Sequence, residues 1–156
     1  MRYFLDTEFN GFGGCILSLA LVAQNGASLY LVWPTNDMPE DPDPWVLQNV
    51  IPLMDKVPDN VRTIEVRYGT DDAARHIAEF LRGDPAPEIV TDWPDDIRYF
   101  CQEVITGPGQ MIAIPRLAFQ MLRVDAYPTT LAGAVQHNAW WDAWALHTLL
   151  TPIGAR

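Results

Sequence analysis

Residues 2–33 read RYFLDTEFNGFGGCILSLALVAQNGASLYLVW, and this stretch decides the fold. Its three apolar runs cover residues 2–8, 15–24 and 27–33. A glycine-rich turn separates the first two runs, and the pair Asn25-Gly26 separates the second from the third. Asn-Gly between apolar runs is the strongest short signal of a β-hairpin. The stretch therefore predicts an antiparallel meander of three strands.

The rest of the chain alternates predicted helices with single strands. The segment 34–44 (PTNDMPEDPDP) is rich in proline and acid, which predicts a surface loop. Helices are predicted at about 45–54, 71–82, 96–104 and 139–150, strands at 88–91 and 111–114, and 117–124 fits either. This order predicts an α/β fold whose mixed sheet joins an antiparallel opening meander to parallel strands, with helices flanking it.

Length and composition predict one globular domain over residues 1–156. The chain is 49% apolar and 19% charged, which is typical of a folded protein and excludes disordered, collagenous and coiled-coil classes. Its longest nearly uncharged run, 15–23, is about half of the roughly 20 residues that a bilayer-spanning helix needs. Acids also stand near the start, where a signal peptide would be apolar. We therefore expect a cytoplasmic protein with no membrane partner.

Charge and cysteine content narrow the function classes. The chain has 20 acidic and 10 basic residues, a net charge of −10, so it repels polyanions at long range. Any activity on nucleic acid must come from a local site that uses bound cations. The two cysteines, Cys15 and Cys101, lie far apart in apolar stretches, which favours buried thiols in a reducing compartment over a disulfide.

Asp6 and Glu8 form the first candidate site. Side chains alternate across a strand, so these two carboxylates project from the same face near the end of the first run. Arg2 is the only basic residue in that run. A pair of like charges without a basic neighbour favours a cation between them.

The last predicted helix carries a second candidate site. Asn138 is a good N-cap, which places His137 in the loop before the helix and Asp142 on its second turn. Ala139 and Ala143 lie on the buried stripe and permit close packing against the sheet. We therefore expect Asp142 to approach the first strand, with His137 facing the same cleft.

These residues resemble a known family. The residues Asp6-Thr7-Glu8-Phe9, an aspartate after the mid-chain strand, and the sequence HNAWWDA at 137–143 are similar to the three ordered motifs of the DEDDh, or DnaQ-like, 3′-to-5′ exonucleases of the RNase H-like fold. The closing pattern His-x-Ala-x-x-Asp-Ala is the most specific of the three. The short chain and the DTEF opening are most similar to the compact bacterial and phage exoribonuclease branch.

The middle motif leaves a choice between three aspartates after the strand at 88–91. In the family the metal-binding aspartate opens a helix several residues after this strand, which favours Asp96 over Asp92 and leaves Asp95 last. Asp92 then falls where the family often has a residue near the substrate. Both Asp96 and Asp92 remain candidates for the middle metal ligand.

The resemblance implies a two-metal hydrolase. Asp6, Glu8, Asp96 and Asp142 would hold two Mg²⁺ or Mn²⁺ ions that flank the scissile phosphate, since hard oxygen ligands suit these metals. His137 would be the general base, because imidazole exchanges protons near neutral pH. The product would be a nucleoside 5′-monophosphate released from a 3′ end.

The expected substrate is single-stranded RNA, in preference to DNA, or short oligoribonucleotides. Phe9 and Phe12 flank the first acidic pair and are candidates for stacking on terminal bases. The alternative for both is core or loop packing, which is the more common role of such residues. Arg98, Arg116 and Arg123 are weaker candidates for phosphate contacts. The alternatives are a DNA 3′-to-5′ exonuclease that trims or proofreads and a catalytically silent nucleic-acid-binding module; the family is compatible with a homodimer.

Overall fold

The computed structural model describes residues 1–124 and 130–151, which form eight strands and four α-helices. The strands are β1 (Arg2–Phe9), β2 (Ile16–Ala23), β3 (Ser28–Val32), β4 (Thr63–Glu65), β5 (Glu88–Thr91), β6 (Ile105–Gly107), β7 (Gln110–Met111) and β8 (Ala118–Met121). The helices are α1 (Pro44–Asn49), α2 (Asp72–Phe80), α3 (Pro94–Val104) and α4 (Ala139–Leu150). Short 3₁₀ turns cover Thr35–Asp37 and Ile51–Leu53.

Six strands form one mixed sheet in the order β4-β3-β2-β1-β5-β8. The pairs β1–β2 and β2–β3 are antiparallel, whereas β3–β4, β1–β5 and β5–β8 are parallel. The predicted opening meander and the parallel additions are both confirmed. The arrangement is consistent with an RNase H-like α/β fold. Strands β6 and β7 form a separate antiparallel hairpin.

Helices pack against both faces of the sheet. Alternate residues of β1 serve the two sides: Tyr3 and Leu5 pack with residues of α2 and α3, while Phe4 packs with α4. Every residue of β2 is buried, as expected for a strand covered on both faces. A smaller cluster in which Leu17 meets Val46 and Val50 attaches α1 to the sheet.

Several predicted element boundaries are wrong. The helix expected at 45–54 ends at Asn49, because Pro52 lacks an N–H and cannot continue it, and a 3₁₀ turn follows. The strand expected at 111–114 is reduced to β7, which pairs with β6 rather than with the main sheet. The ambiguous segment 117–124 contains β8.

Strand β4 has no counterpart among the predictions, since its three residues are mostly polar and lie at the edge of the sheet.

Cys15 and Cys101 are free thiols as expected, but both are half-buried rather than buried. Within the described ranges, none of the helices has both the length and the apolar character needed to cross a lipid bilayer.

Candidate functional site

The carboxyl end of β1 carries the first acidic pair. Phe4 packs against α4, so Asp6 and Glu8, which follow at spacings of two, face α4 as well. The pairing of β1 with β2 shifts register between Glu8 and Phe9, so the acids stand where the regular ladder ends. Both predicted acids therefore lie at the carboxyl end of β1, on the face of the sheet that α4 covers.

The parallel strands β5 and β8 bring further polar residues to the same end of the sheet, where the strands have their carboxyl ends. Arg2, Tyr3 and Phe4 of β1 lie opposite Glu88, Ile89 and Val90 of β5, and continuing this register places Asp92 beside Asp6. The register of β5 with β8 pairs Thr91 with Met121, which places Trp93 beside Arg123 in the same way. The carboxyl ends of parallel strands are the usual position for sites in α/β sheets.

Asp96 lies in the first turn of α3 and is only 1% exposed. Its Oδ1 accepts hydrogen bonds from the backbone N–H of Thr7 at 3.0 Å and from the Thr7 hydroxyl at 2.7 Å. Its Oδ2 accepts a hydrogen bond from the Thr91 hydroxyl at 2.6 Å. Three donors from β1 and β5 therefore fix the orientation of this carboxylate.

The start of α4 supplies the remaining predicted residues. The Asn138 side chain caps the helix by accepting hydrogen bonds from the N–H groups of Trp140 and Trp141, as the sequence predicts. Its amide also donates to the Leu53 carbonyl at 2.7 Å, which ties the helix start to the turn after α1. His137, one residue earlier, has a backbone φ of 59°, in the left-handed region that few non-glycine residues adopt.

The acids converge into two groups of three. Carboxylate oxygens of Asp6, Glu8 and Asp142 all lie within 4.8 Å of one another, and so do those of Asp6, Asp92 and Asp96. Asp6 belongs to both groups. Its Oδ2 is buried and accepts no hydrogen bond from the described residues. A buried carboxylate oxygen without a donor is costly unless a cation completes its environment.

The electrostatics of the cluster favour protonation when no cation is present. Burial, followed by the charges of Asp96, Asp142 and other neighbouring acids, raises the pKa of Asp6 well above its ordinary value. Burial and the charges of Asp142 and Asp96 do the same to the pKa of Glu8. These shifts follow from a buried acidic cluster whose members repel one another when ionised.

The pKa values of Asp96 and Asp142 are each raised to about 7, chiefly by burial. The donors Thr91 and Thr7 oppose the shift at Asp96, and backbone N–H groups at Asn138 and His137 oppose it at Asp142. A divalent cation would favour the ionised forms of all these groups.

A cleft of about 490 Å³ opens over the acids, a volume typical of small-ligand sites. Its walls include the aromatic residues Trp45 and Trp93, the base candidate His137, and Arg123. Trp45 is 53% exposed and Trp93 is 46% exposed. The Trp45 ring meets the His137 ring edge to face at 5.0 Å, so it limits the positions that the imidazole can take.

Arg123 supports the opposite part of the wall from the end of β8. Its Nη1 donates to the backbone carbonyl of Asp92 at 2.6 Å, and its guanidinium lies 4.8 Å from the centre of the Trp93 ring. It is the one arginine or lysine among the described residues that line the cleft. Arg98, by contrast, pairs with Asp95 and covers Tyr99.

The two predicted stacking residues occupy different environments. Phe9 lines the cleft, but its ring stacks on Tyr99 with the centroids 4.6 Å apart. Phe12 is 94% exposed and lines an adjoining groove of about 390 Å³, which shares Glu8, Phe9 and the two tryptophans with the cleft. Phe12 is therefore available to a ligand, whereas Phe9 is partly committed to packing.

A larger groove of about 760 Å³ lies elsewhere, between α2 and the segment 112–115. It shares no lining residue with the acidic cleft. Its arginines, Arg75 and Arg82, already pair with Asp72 and Glu79. The chemistry-bearing side chains therefore gather in the smaller cleft.

The structure brings together all the predicted acids and His137, and it places Asp92 with them. Sequence reasoning missed Thr7 and Thr91, which hold Asp96, and the wall residues Trp45 and Trp93. The signal for Thr7 was present, because its side chain must project from β1 opposite to Asp6 and Glu8, toward α3. The tryptophans gave none, since an exposed aromatic in a loop or helix start has no periodic pattern.

No protein-family model matches the chain, and no curated protein matches it. The function must therefore be argued from the site itself.

Proposed function

We propose that this protein is a metal-dependent 3′-to-5′ exonuclease that hydrolyses single-stranded RNA ends or short oligoribonucleotides. One observation carries the proposal: two groups of three carboxylates meet at Asp6 on the floor of a cleft that His137 also lines. The similarity of the three sequence motifs to DEDDh exonucleases supports the same reaction class.

The donor set fits hard divalent cations. All the candidate ligands are carboxylate oxygens, which suit Mg²⁺ and Mn²⁺ and not the softer metals. The buried Oδ2 of Asp6 lacks a donor among the described residues, so a cation would satisfy an otherwise orphaned atom. Asp6, Glu8, Asp96 and Asp142 would hold two ions, which would supply an activated water and stabilise the leaving oxygen.

His137 would remove the proton from the attacking water. It lines the cleft beside Asp142 at the start of α4, and contact with Trp45 restrains its ring. A positioned imidazole fits the task because it exchanges protons near neutral pH. The proposed role needs no contact between His137 and the cations.

The walls of the cleft suit a nucleic-acid end. Trp45 and Trp93, both exposed at the wall of the cleft, would stack on bases. Such a contact is worth about 1–3 kcal/mol per base and tolerates any sequence. Arg123 would meet a backbone phosphate, since it is the one arginine or lysine among the described residues that line the cleft. The net charge of −10 favours short single-stranded ends over long duplexes.

The proposal is tested with matched 5′-labelled RNA and DNA oligonucleotides on a denaturing gel. Each strand is incubated with Mn²⁺, with Mg²⁺ and with a chelator, and an Asp142→Asn variant purified in parallel controls for contaminating nucleases. We expect a ladder that shortens from the 3′ end with metal, that prefers RNA, and that is absent for the variant.

The other outcomes separate the alternatives. A preference for DNA would favour a DNA exonuclease that trims or proofreads, and it would leave the proposed mechanism unchanged. Internal cuts would contradict an exonuclease. If neither strand is cleaved under any condition, the proposal of an enzyme is overturned, and a nucleic-acid-binding module becomes the favoured function.

A further inference from the structure

A fifth carboxylate stands among the four that the family resemblance assigns. We propose that Asp92, together with Asp6 and Asp96, holds a second divalent cation before any nucleic acid binds. The inference rests on the proposed function for the chemistry of the site, but it concerns metal binding and can be tested without cleavage. The choice between Asp92 and Asp96 then disappears, because both serve the same ion.

The geometry separates two cation positions. Oxygens of Asp6, Asp92 and Asp96 lie within 4.8 Å of one another, as do those of Asp6, Glu8 and Asp142. Two oxygens on opposite sides of one Mg²⁺ are about 4.2 Å apart, so each group needs only small adjustments to share an ion. The two groups have one member in common, and its buried Oδ2 has no donor among the described residues.

The hydrogen bonds of Asp96 explain why a further ligand is needed. Its Oδ1 already accepts two hydrogen bonds from Thr7, which occupy both lone pairs. Its Oδ2 accepts one from Thr91 and keeps one position. Asp96 therefore offers a single ligand atom, and without Asp92 the second ion would have one oxygen each from Asp6 and Asp96.

The backbone around Asp92 is held in place. The register of β1 with β5 sets Asp92 beside Asp6, and Arg123 donates to the Asp92 carbonyl at 2.6 Å. The same arginine covers the ring of Trp93. The pairing with β1 and the bond from Arg123 therefore fix the backbone of Asp92, whose side chain lines the cleft. Little conformational entropy is then lost when its carboxylate binds a cation, which favours tight binding.

The experiment counts Mn²⁺ bound by the full chain at about pH 8, by equilibrium dialysis with detection of free Mn²⁺ by electron paramagnetic resonance. We expect two ions per chain for the wild type, one for Asp92→Asn, and two with weakened affinity for Asp92→Glu, which restores the carboxylate. Asp95→Asn is the matched control: Asp95 lies three residues away, belongs to neither group, and should retain two ions. Circular dichroism checks that each variant folds.

The outcomes distinguish this inference from the proposed function. Two ions in both the wild type and Asp92→Asn, with equal affinities, would overturn the role of Asp92 even if RNA is cleaved. A single ion in the wild type would overturn it as well. Two ions in the wild type and one in Asp92→Asn would support it even if no strand is cleaved, in which case only the exonuclease proposal fails.

Discussion

Two helices of this protein carry a nearly inaccessible aspartate in the first turn, and the two aspartates have opposite surroundings. Asp72, the first residue of α2, is 9% exposed and pairs with the guanidinium groups of Arg67 and Arg75. The hydrogen bond from Arg67 is the main cause that holds the pKa of Asp72 well below its ordinary value. Asp96, in the first turn of α3, has three neutral donors and acidic neighbours instead.

The two aspartates differ in whether the protein itself supplies the positive charge that neutralises them. At α2 the protein supplies the compensating positive charge itself, so the acid stabilises the helix start and is ionised. At α3 the described residues supply hydrogen bonds but no guanidinium or ammonium group, and burial raises the pKa of Asp96 to about 7. Two unit charges 4 Å apart repel by about 4 kcal/mol at an effective dielectric constant of 20, so ionising the whole cluster requires an external cation.

The change with the largest expected effect is Asp6→Asn, because Asp6 belongs to both carboxylate groups. We expect it to abolish cleavage and metal-induced stabilisation, while raising the melting temperature of the metal-free protein by removing a carboxyl group whose ionisation in this cluster is unfavourable. Gel assays and calorimetric melting with and without Mn²⁺ measure both effects.

The matched control for Asp6→Asn is Asp72→Asn. It should lower the melting temperature, because it removes the partner of Arg67 and Arg75, and leave cleavage by the folded protein unchanged. If Asp6→Asn retains activity, or if the two substitutions change the melting temperature in the same direction, the comparison between the helices does not hold.

The next largest effect is expected for His137→Asn, since asparagine tolerates the left-handed backbone that His137 adopts. The rate of cleavage should fall by roughly 10²–10⁴-fold, the usual contribution of a general base. Stabilisation by Mn²⁺ should persist, as measured by melting. Its loss would make His137 a ligand rather than a base.

Thr91→Val tests how far hydrogen bonds from neutral groups support Asp96. The substitution keeps the shape of the side chain and removes the donor to Asp96 Oδ2. We expect a loss of about 10–100-fold in metal affinity or activity, typical of groups that orient a metal ligand. Thr91→Ser, which retains the hydroxyl, should stay near wild type, and an equal loss in both variants would assign the effect to packing.

The last prediction concerns the pH dependence of the metal-free protein. The pKa values of Asp96 and Asp142 rise from 3.8 to about 7 on folding, so the folded state binds more protons between these values. The stability they contribute is complete below the lower value and is lost as pH rises through the upper one.

We therefore expect the contribution of these two groups to lower the melting temperature between about pH 5 and about pH 8 without metal, and the gain from Mn²⁺ to be larger at about pH 8. Asp96→Asn/Asp142→Asn provides the reference, because it lacks both titrating groups. A decrease of the same size in this double variant would assign the pH dependence to other residues.

Local patterns predicted the meander and the acids, because each depends on neighbours in sequence. Asn25-Gly26 specifies a hairpin and Asn138 specifies a helix start, and both are confirmed. The alternation of side chains in β1 was enough to put Asp6 and Glu8 on one face.

Features that depend on distant pairings could not be predicted in this way. The position of Asp92 beside Asp6 follows from the register of β5 against β1, which the 85 residues of chain between Asp6 and Asp92 do not specify. Strand β4 forms because the edge of β3 is available to it, and its own three residues carry no periodic signal. Alternation in β1 gives the face on which Thr7 lies, but its bond to Asp96, like that of Thr91, depends on where α3 packs.

The left-handed backbone at His137 also bears on how this chain could be engineered. An L-residue with a side chain pays about 1–2 kcal/mol for that conformation, and glycine or asparagine carries less of this cost. A library selected only for heat resistance should therefore enrich substitutions at position 137. If His137 is the proposed general base, that library should lose turnover as it gains stability, whereas a library selected for turnover should keep the imidazole and recover stability at other positions.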